Sequence, residues 1–289
     1  MNRTQLAGLL WAALSSVLFG ASLTVAGAVF EFLEPFEVIG VRMVMAGVLV
    51  LPVVLIRREP MGSDWPRVIG VGALMVGVNL AIYMAIPRIG VGPAAGLQFL
   101  GPALIVAWKR IFGGLRYPRV MWGAVAVGLL GAGLLGKAWI IESFDPLGIA
   151  LALLSGAGLA TYLVIAEDLN TRRSALGVTS SAVVASALLG VALFPTDLVE
   201  RVPVESWWLV LWLGSFGLVI PMLIEVTALR TAPSEKVGIV LTLEPFAAAV
   251  TAWAFLSQAL HPLQATGMAL VVAAVLVTGR LRPIEGTQT

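Results

Sequence analysis

Cysteine is missing from this chain, and histidine occurs once, at position 261. Disulfides are therefore excluded, and a His/Cys metal or haem site has almost no ligands to draw on, so neither metal nor cofactor is expected. Charge is also scarce. Asp, Glu, Lys and Arg make up 12% of the 289 residues, against roughly 25% in an ordinary soluble domain. A net charge of +2 with no clustered basic tail argues against a nucleic-acid partner. His-Glu-x-x-His does not occur, and nothing resembles a phosphate-binding loop. His261 stands beside Pro262 at a turn, not in a span beside a nucleophile. These absences argue against an intramembrane enzyme and against ATP-driven pumping by this chain, so no enzymatic activity is expected.

What the chain has in abundance is apolar sequence, 59% of its residues, in recurring runs of about 20 residues that suit membrane-spanning helices. Alternating strands of a barrel are not seen. The expected fold is all-α, a polytopic membrane protein of ten transmembrane helices. Its spans fall near 6–29, 36–56, 66–86, 91–111, 118–136, 146–166, 175–195, 205–229, 234–257 and 262–280. The first is read as a retained span, because its apolar stretch exceeds a signal-peptide core. Of the 18 lysines and arginines, 14 fall on the side holding both termini, Arg42 lies inside a span, and Arg88, Lys137 and Arg201 lie opposite. Positive charge is retained in cytoplasmic loops, so both termini are expected in the cytoplasm and the chain in an inner (plasma) membrane.

The chain also matches itself. Leu100-Gly101-Pro102 aligns with Leu243-Glu244-Pro245 at an offset of 143, which also sets Gly47 on Gly190 and Pro52 on Pro195. Gly8 and Leu14-Ser15 match Gly148 and Leu154-Ser155 at an offset of 140. Two five-helix units are expected, over residues 6–136 and 146–280. An odd count per unit inverts the second, as in many carriers whose solute binds at the midplane between broken helices. Gly101, Pro102 and Pro245 are the expected helix breaks, in spans four and nine.

Glu244 is the first candidate for chemistry, because an ionisable group within a span usually faces a wet cavity or a partner. Desolvation works against the charged form of a carboxyl, so a proton-coupling role is weighed against a structural carboxyl joining two helices. Glu225 lies about one turn from a span end, within expected reach of Arg230 and Lys236, as a gate-side ion pair or a solute contact. Arg42 is read either as snorkelling toward Glu31, Glu34 or Glu37, or as binding a solute carboxylate. Asn79, Tyr83, Gln98, Trp11, Ser15 and Tyr162 bring polar groups into spans one, three, four and six, as cavity lining or as interhelical glue. Trp65, Trp139, Trp207 and Trp208 suit interface anchors, and Gly92-x-x-x-Gly96 has the spacing of a homodimer contact.

Arg42 with Ala46, and the stretch "LTLEPFAAAV", resemble the EamA family of the drug/metabolite transporter superfamily over nearly the whole chain. Asn79, Tyr83, Gly101, Pro102, Pro221, Glu225, Glu244 and Pro245 are most similar to its threonine/homoserine exporter branch, from which Gln98 departs by standing where glutamate is usual. The resemblance implies a secondary carrier exporting amino acids such as threonine/homoserine or related small metabolites. A carrier of a sugar, nucleotide sugar or drug-like metabolite is the alternative, and an intramembrane enzyme a remote one.

Overall fold

A computed structural model describes residues 3–57, 64–89, 91–135, 145–193, 197–256 and 261–280, and these are helical with short connections. The helices are α1 (Arg3–Val29), α2 (Pro35–Arg57), α3 (Trp65–Ile89), α4 (Val91–Gln98), α5 (Gly101–Ile111), α6 (Arg119–Leu135), α7 (Pro146–Leu169) and α8 (Ala175–Leu193). They continue with α9 (Leu198–Arg201), α10 (Trp207–Gly214), α11 (Ile220–Ala228), α12 (Ser234–Leu241), α13 (Leu243–Leu256) and α14 (Pro262–Arg280). Among the described residues, seven helical stretches are long and apolar enough to cross a membrane, while α6 and α14 are shorter apolar helices. Span four is divided into α4 and α5, each too short alone. Lys137 and Trp139 lie outside the described residues, as do the surroundings of Gly92 and Gly96.

Local chemistry sets where these helices start. Asp145 precedes Pro146, the first residue of α7, and its Oδ1 accepts the free N–H groups of Leu147 at 2.8 Å and Gly148 at 3.0 Å. A carboxylate at this position satisfies donors that have no helical partner. Its Oδ2 accepts from Arg88 at the end of α3, at 3.0 Å. The Gly148 N–H, and then the Arg88 guanidinium, hold the Asp145 carboxyl below its ordinary range. At the far end of the same helix pair, Arg67 meets Asp168 at 2.8 Å.

Packing joins distant parts of the chain. Helix α3 lies along α7, α2 along α8, α6 along α14, and α1 along α11, α12 and α13. With no hydrophobic drive between helices in lipid, close approach by small residues does much of this work. Between α1 and α13 the approach is so near that a Cβ on Gly20 would collide with the Glu244 carbonyl. Between α7 and span four, a Cβ on Gly156 would come within 2.6 Å of the Gln98 carbonyl. Both glycines face a helix break, and the breaks position the candidate site.

Candidate functional site

Span four is interrupted at Phe99 and Leu100, span nine at Thr242. In each, a proline follows within three residues, Pro102 and Pro245. Proline has no N–H, so the carbonyls four residues back, of Gln98 and Leu241, lose their regular helical donors. Thr242 tightens its turn by giving both its N–H, at 3.2 Å, and its hydroxyl, at 2.6 Å, to the Ile239 carbonyl. The Gln98 amide donates to Ser155 Oγ at 2.9 Å, and Ser155 donates onward to the Val78 carbonyl at 2.9 Å. On α1, Ser15 donates to the Pro221 carbonyl at 2.8 Å, and Ser16 reaches the Val240 carbonyl at 3.3 Å.

A third irregularity separates α10 from α11. Residues Ser215–Val219 form a π-helical turn in which Ile220 N–H returns to Ser215 O. Just beyond it, Pro221 offers no donor to the Gly217 carbonyl four residues earlier. Arg42 supplies the missing donor, giving Nη2 to that carbonyl. The arginine is only 7% exposed, and its Nε is buried without a hydrogen-bond partner. Tyr83 and Glu244 are its electrostatic neighbours. Tyr83 is itself buried and meets Phe30 edge-on, with ring centroids 6.3 Å apart. Beside Glu244 lies Glu225, 3% exposed, with the Tyr162 hydroxyl as its other electrostatic neighbour.

Arg42, Tyr83, Glu244, Glu225 and Tyr162 are therefore brought together from α2, α3, α13, α11 and α7. The Glu37 carboxylate, an expected partner for Arg42, is taken by Arg201 at 2.7 Å and by the Glu34 N–H at 3.0 Å. Glu225 was expected near Arg230 and Lys236, but its neighbours are Tyr162 and Glu244. Asn79 donates to the Met75 carbonyl of its own helix at 2.7 Å. Trp11 is 46% exposed, while Ser15, one turn further on, is fully buried. Two participants were missed from sequence: the Ser155 hydroxyl, seen only as a repeat match, and the Gly217 carbonyl. The signal for the second was Pro221, read four residues back.

A separate charged group lies at the end of the bundle where α1 begins. Lys109 Nζ lies 2.7 Å from Glu167 Oε2 and 2.7 Å from Glu235 Oε2, joining α5 to α7 and α12. Ser234 donates to the same Glu167 oxygen at 2.7 Å. Burial, and then the Glu235 and Glu167 carboxylates, push the nearby Tyr117 phenol above its ordinary range. Just inside, a Cβ on Gly238 of α12 would meet Ile105 of α5 at 3.2 Å and Pro102 at 3.5 Å. Packed side chains thus lie beneath the ion pair at this end.

The model of the EamA-like transporter family matches twice, over residues 6–136 and 146–280. Threonine/homoserine exporter RhtA of Escherichia coli strain K12 is 26% identical over 208 residues, spanning 70% of this chain and 67% of that protein. The exporter of the same name from Salmonella typhimurium strain LT2 is 27% identical with the same coverage. Pseudopaline exporter CntI of Pseudomonas aeruginosa strain UCBPP-PA14 is 26% identical, over 74% of this chain and 76% of its own. One solved crystal structure shares the fold, with a TM-score of 0.78, 20% identity, and coverage of 97% of this chain and 99% of that one. The family match extends over nearly the whole sequence: the chain belongs to the EamA-like transporter family and is an integral membrane transporter of small solutes, not an enzyme.

Proposed function

We propose that this carrier exports amino acids, threonine or homoserine or close relatives, by proton-coupled alternating access across an inner membrane. The observation that carries the reading is that Glu244 lies within electrostatic reach of the buried Arg42, beside a broken helix. A carboxylate and a guanidinium there offer opposite charges to a solute that bears both. The similarity to exporters named for threonine and homoserine supports the same class. A second metabolite class is favoured by one observation, the similarity to a pseudopaline exporter.

The architecture proposed for this work is ten spans in two inverted five-helix units, with both termini cytoplasmic. Reciprocal packing supports it. Ser15 donates to the Pro221 carbonyl and Ser155 to the Val78 carbonyl, four residues related by the same offsets as the sequence repeat. Gln98 and Glu244 then lie at matched breaks on either side of the solute path. Alternating access requires α5 to part from α12, so Lys109 must leave Glu235 whenever the cytoplasmic side opens.

Glu244 is the proposed proton carrier, ionised when it faces a solute ammonium and protonated for the return step. The test uses purified protein in liposomes. Glu244→Gln should abolish flux driven by a pH gradient while leaving some counterflow exchange, because the amide still forms hydrogen bonds but carries no proton. A folded Gln variant with undiminished pH-driven flux would remove the coupling role. Labelled amino acids and sugars in the same vesicles decide the solute class.

A further inference from the structure

The guanidinium of Arg42 is anchored at one nitrogen and unsatisfied at another. Its Nη2 fills the donor position that Pro221 leaves vacant on the Gly217 carbonyl. Its Nε is buried and has no hydrogen-bond partner. A guanidinium carries five N–H donors in a rigid plane, so fixing one edge orients the rest. The anchor is itself firmly placed, because Gly217 packs against Ser22 of α1, where a Cβ would come within 2.9 Å of the serine hydroxyl. Two residues earlier on α1, Gly20 presses on the backbone of Glu244. The same turn of α1 therefore sets the spacing between the arginine's anchor and the glutamate.

We propose that Arg42 is the subsite for the solute's carboxylate, pre-aimed by the Gly217 carbonyl. The inference rests on the amino-acid export reading and adds to it the anchoring of Arg42 at the carbonyl that Pro221 leaves without a donor. A buried guanidinium left uncompensated is costly, so a carboxylate that reaches the unmet Nε is favoured there. Such a contact is charge-assisted, the kind by which arginine binds carboxylates strongly. Glu244 meets the solute's ammonium. A decarboxylated amine has nothing to offer Arg42. An N-acylated amino acid engages Arg42 but gives Glu244 no cation. The recognised class is thus a compact zwitterion, with both charges required together.

Counterflow of a labelled amino acid tests this, with the unlabelled amino acid, its decarboxylated amine and its N-acetyl derivative as competitors. In the wild-type carrier the amino acid should compete on the order of tenfold or more better than either analogue, the weight of one charge-assisted contact. Arg42→Gln should bring the ratio of amino acid to amine toward one. Pro221→Ala restores an N–H for the Gly217 carbonyl and loosens Arg42 without removing it. That variant should raise KM for the amino acid several-fold while leaving inhibition by the amine unchanged. If Arg42→Gln does not fold, the Pro221→Ala result and the wild-type competition series decide alone. Amino-acid flux with an amine competing equally well, or an unchanged ratio in Arg42→Gln, overturns the subsite and leaves the export reading standing. Flux of sugars with none of amino acids overturns both.

Discussion

Two groups of buried charge lie in this bundle, and they are completed to different degrees. At the end where α1 begins, Lys109 has a carboxylate oxygen 2.7 Å away on each of two helices, and Ser234 donates to one of them. In the middle, Arg42 spends one donor on a backbone carbonyl and keeps a buried Nε without a partner. Lys109 has both its carboxylates from within the protein, which ties three helices in one arrangement. Arg42 has one backbone carbonyl and an unmet Nε. Fully satisfied polar groups specify structure, whereas a buried unmet donor calls for an explanation, and on the proposed reading that explanation is the solute.

The largest effect that tests this contrast should come from Lys109→Met. It leaves Glu167 and Glu235 facing each other, and breaking a buried pair costs about 3–5 kcal/mol. The lower end applies because Glu167 is 26% exposed. Denaturant unfolding in detergent measures it, and adding Glu167→Gln and Glu235→Gln should recover most of the loss. A silent Lys109→Met would dissolve the comparison.

Next in size is Gly156→Val, which drives a side chain into the Gln98 carbonyl. Overpacking of this kind costs about 1–3 kcal/mol, and transport should fall with stability because the span-four break is displaced. Ser15→Ala and Ser155→Ala should each cost about 0.6–2 kcal/mol, as interhelical hydrogen bonds do in membranes. Their costs should match within a factor of about two. A large difference would show that the two halves use their paired hydroxyls differently.

Two surface contacts should matter less. The Asp145 carboxyl is held below its ordinary range in the folded state. Its contribution is therefore present above the usual carboxylate range and lost as pH falls through the lowered value. Thermal unfolding of Asp145→Asn against wild type should differ at neutral pH and converge in acid. Arg67→Ala removes a pair in which both side chains are half exposed. It should cost under about 1 kcal/mol and less in high salt.

Much of the helical layout was legible because lipid imposes it. Runs without charge must be helical and long, so α1, α2 and α3 start and stop within three residues of the apolar runs that suggested them. The interruptions were legible too, because proline removes a donor wherever it stands, and the breaks fall just ahead of Pro102 and Pro245. Pairings between helices were not. Lys109 and Lys236 counted as loop charges in setting orientation, yet Lys236 is 2% exposed and Lys109 sits in an ion cluster. The sign of a charge is written in the sequence, but its neighbours 58 and 126 residues away are not. Arg42 is the same case. Pro221 announces a vacant carbonyl, but only the folded chain brings a donor across 175 residues to fill it.

The π-helical turn at Ser215–Val219 also records a miscount between the halves. Trp65 and Trp207, the first residues of α3 and α10, stand 142 apart, whereas Val78 and Pro221, which accept the matching serine bonds, stand 143 apart. Span eight has taken up one residue more than α3, and the widened turn is where the helix stores it. Each residue of an α-helix advances the azimuth by about 100°. Removing one from this turn would swing Glu225 by that angle out of line with Tyr162 and Glu244, while Trp207 and Trp208 kept their places. On the proposed two-unit architecture, a single surplus residue thus aims an acid where the matching position of the sequence repeat, Ile82, carries an alkyl chain.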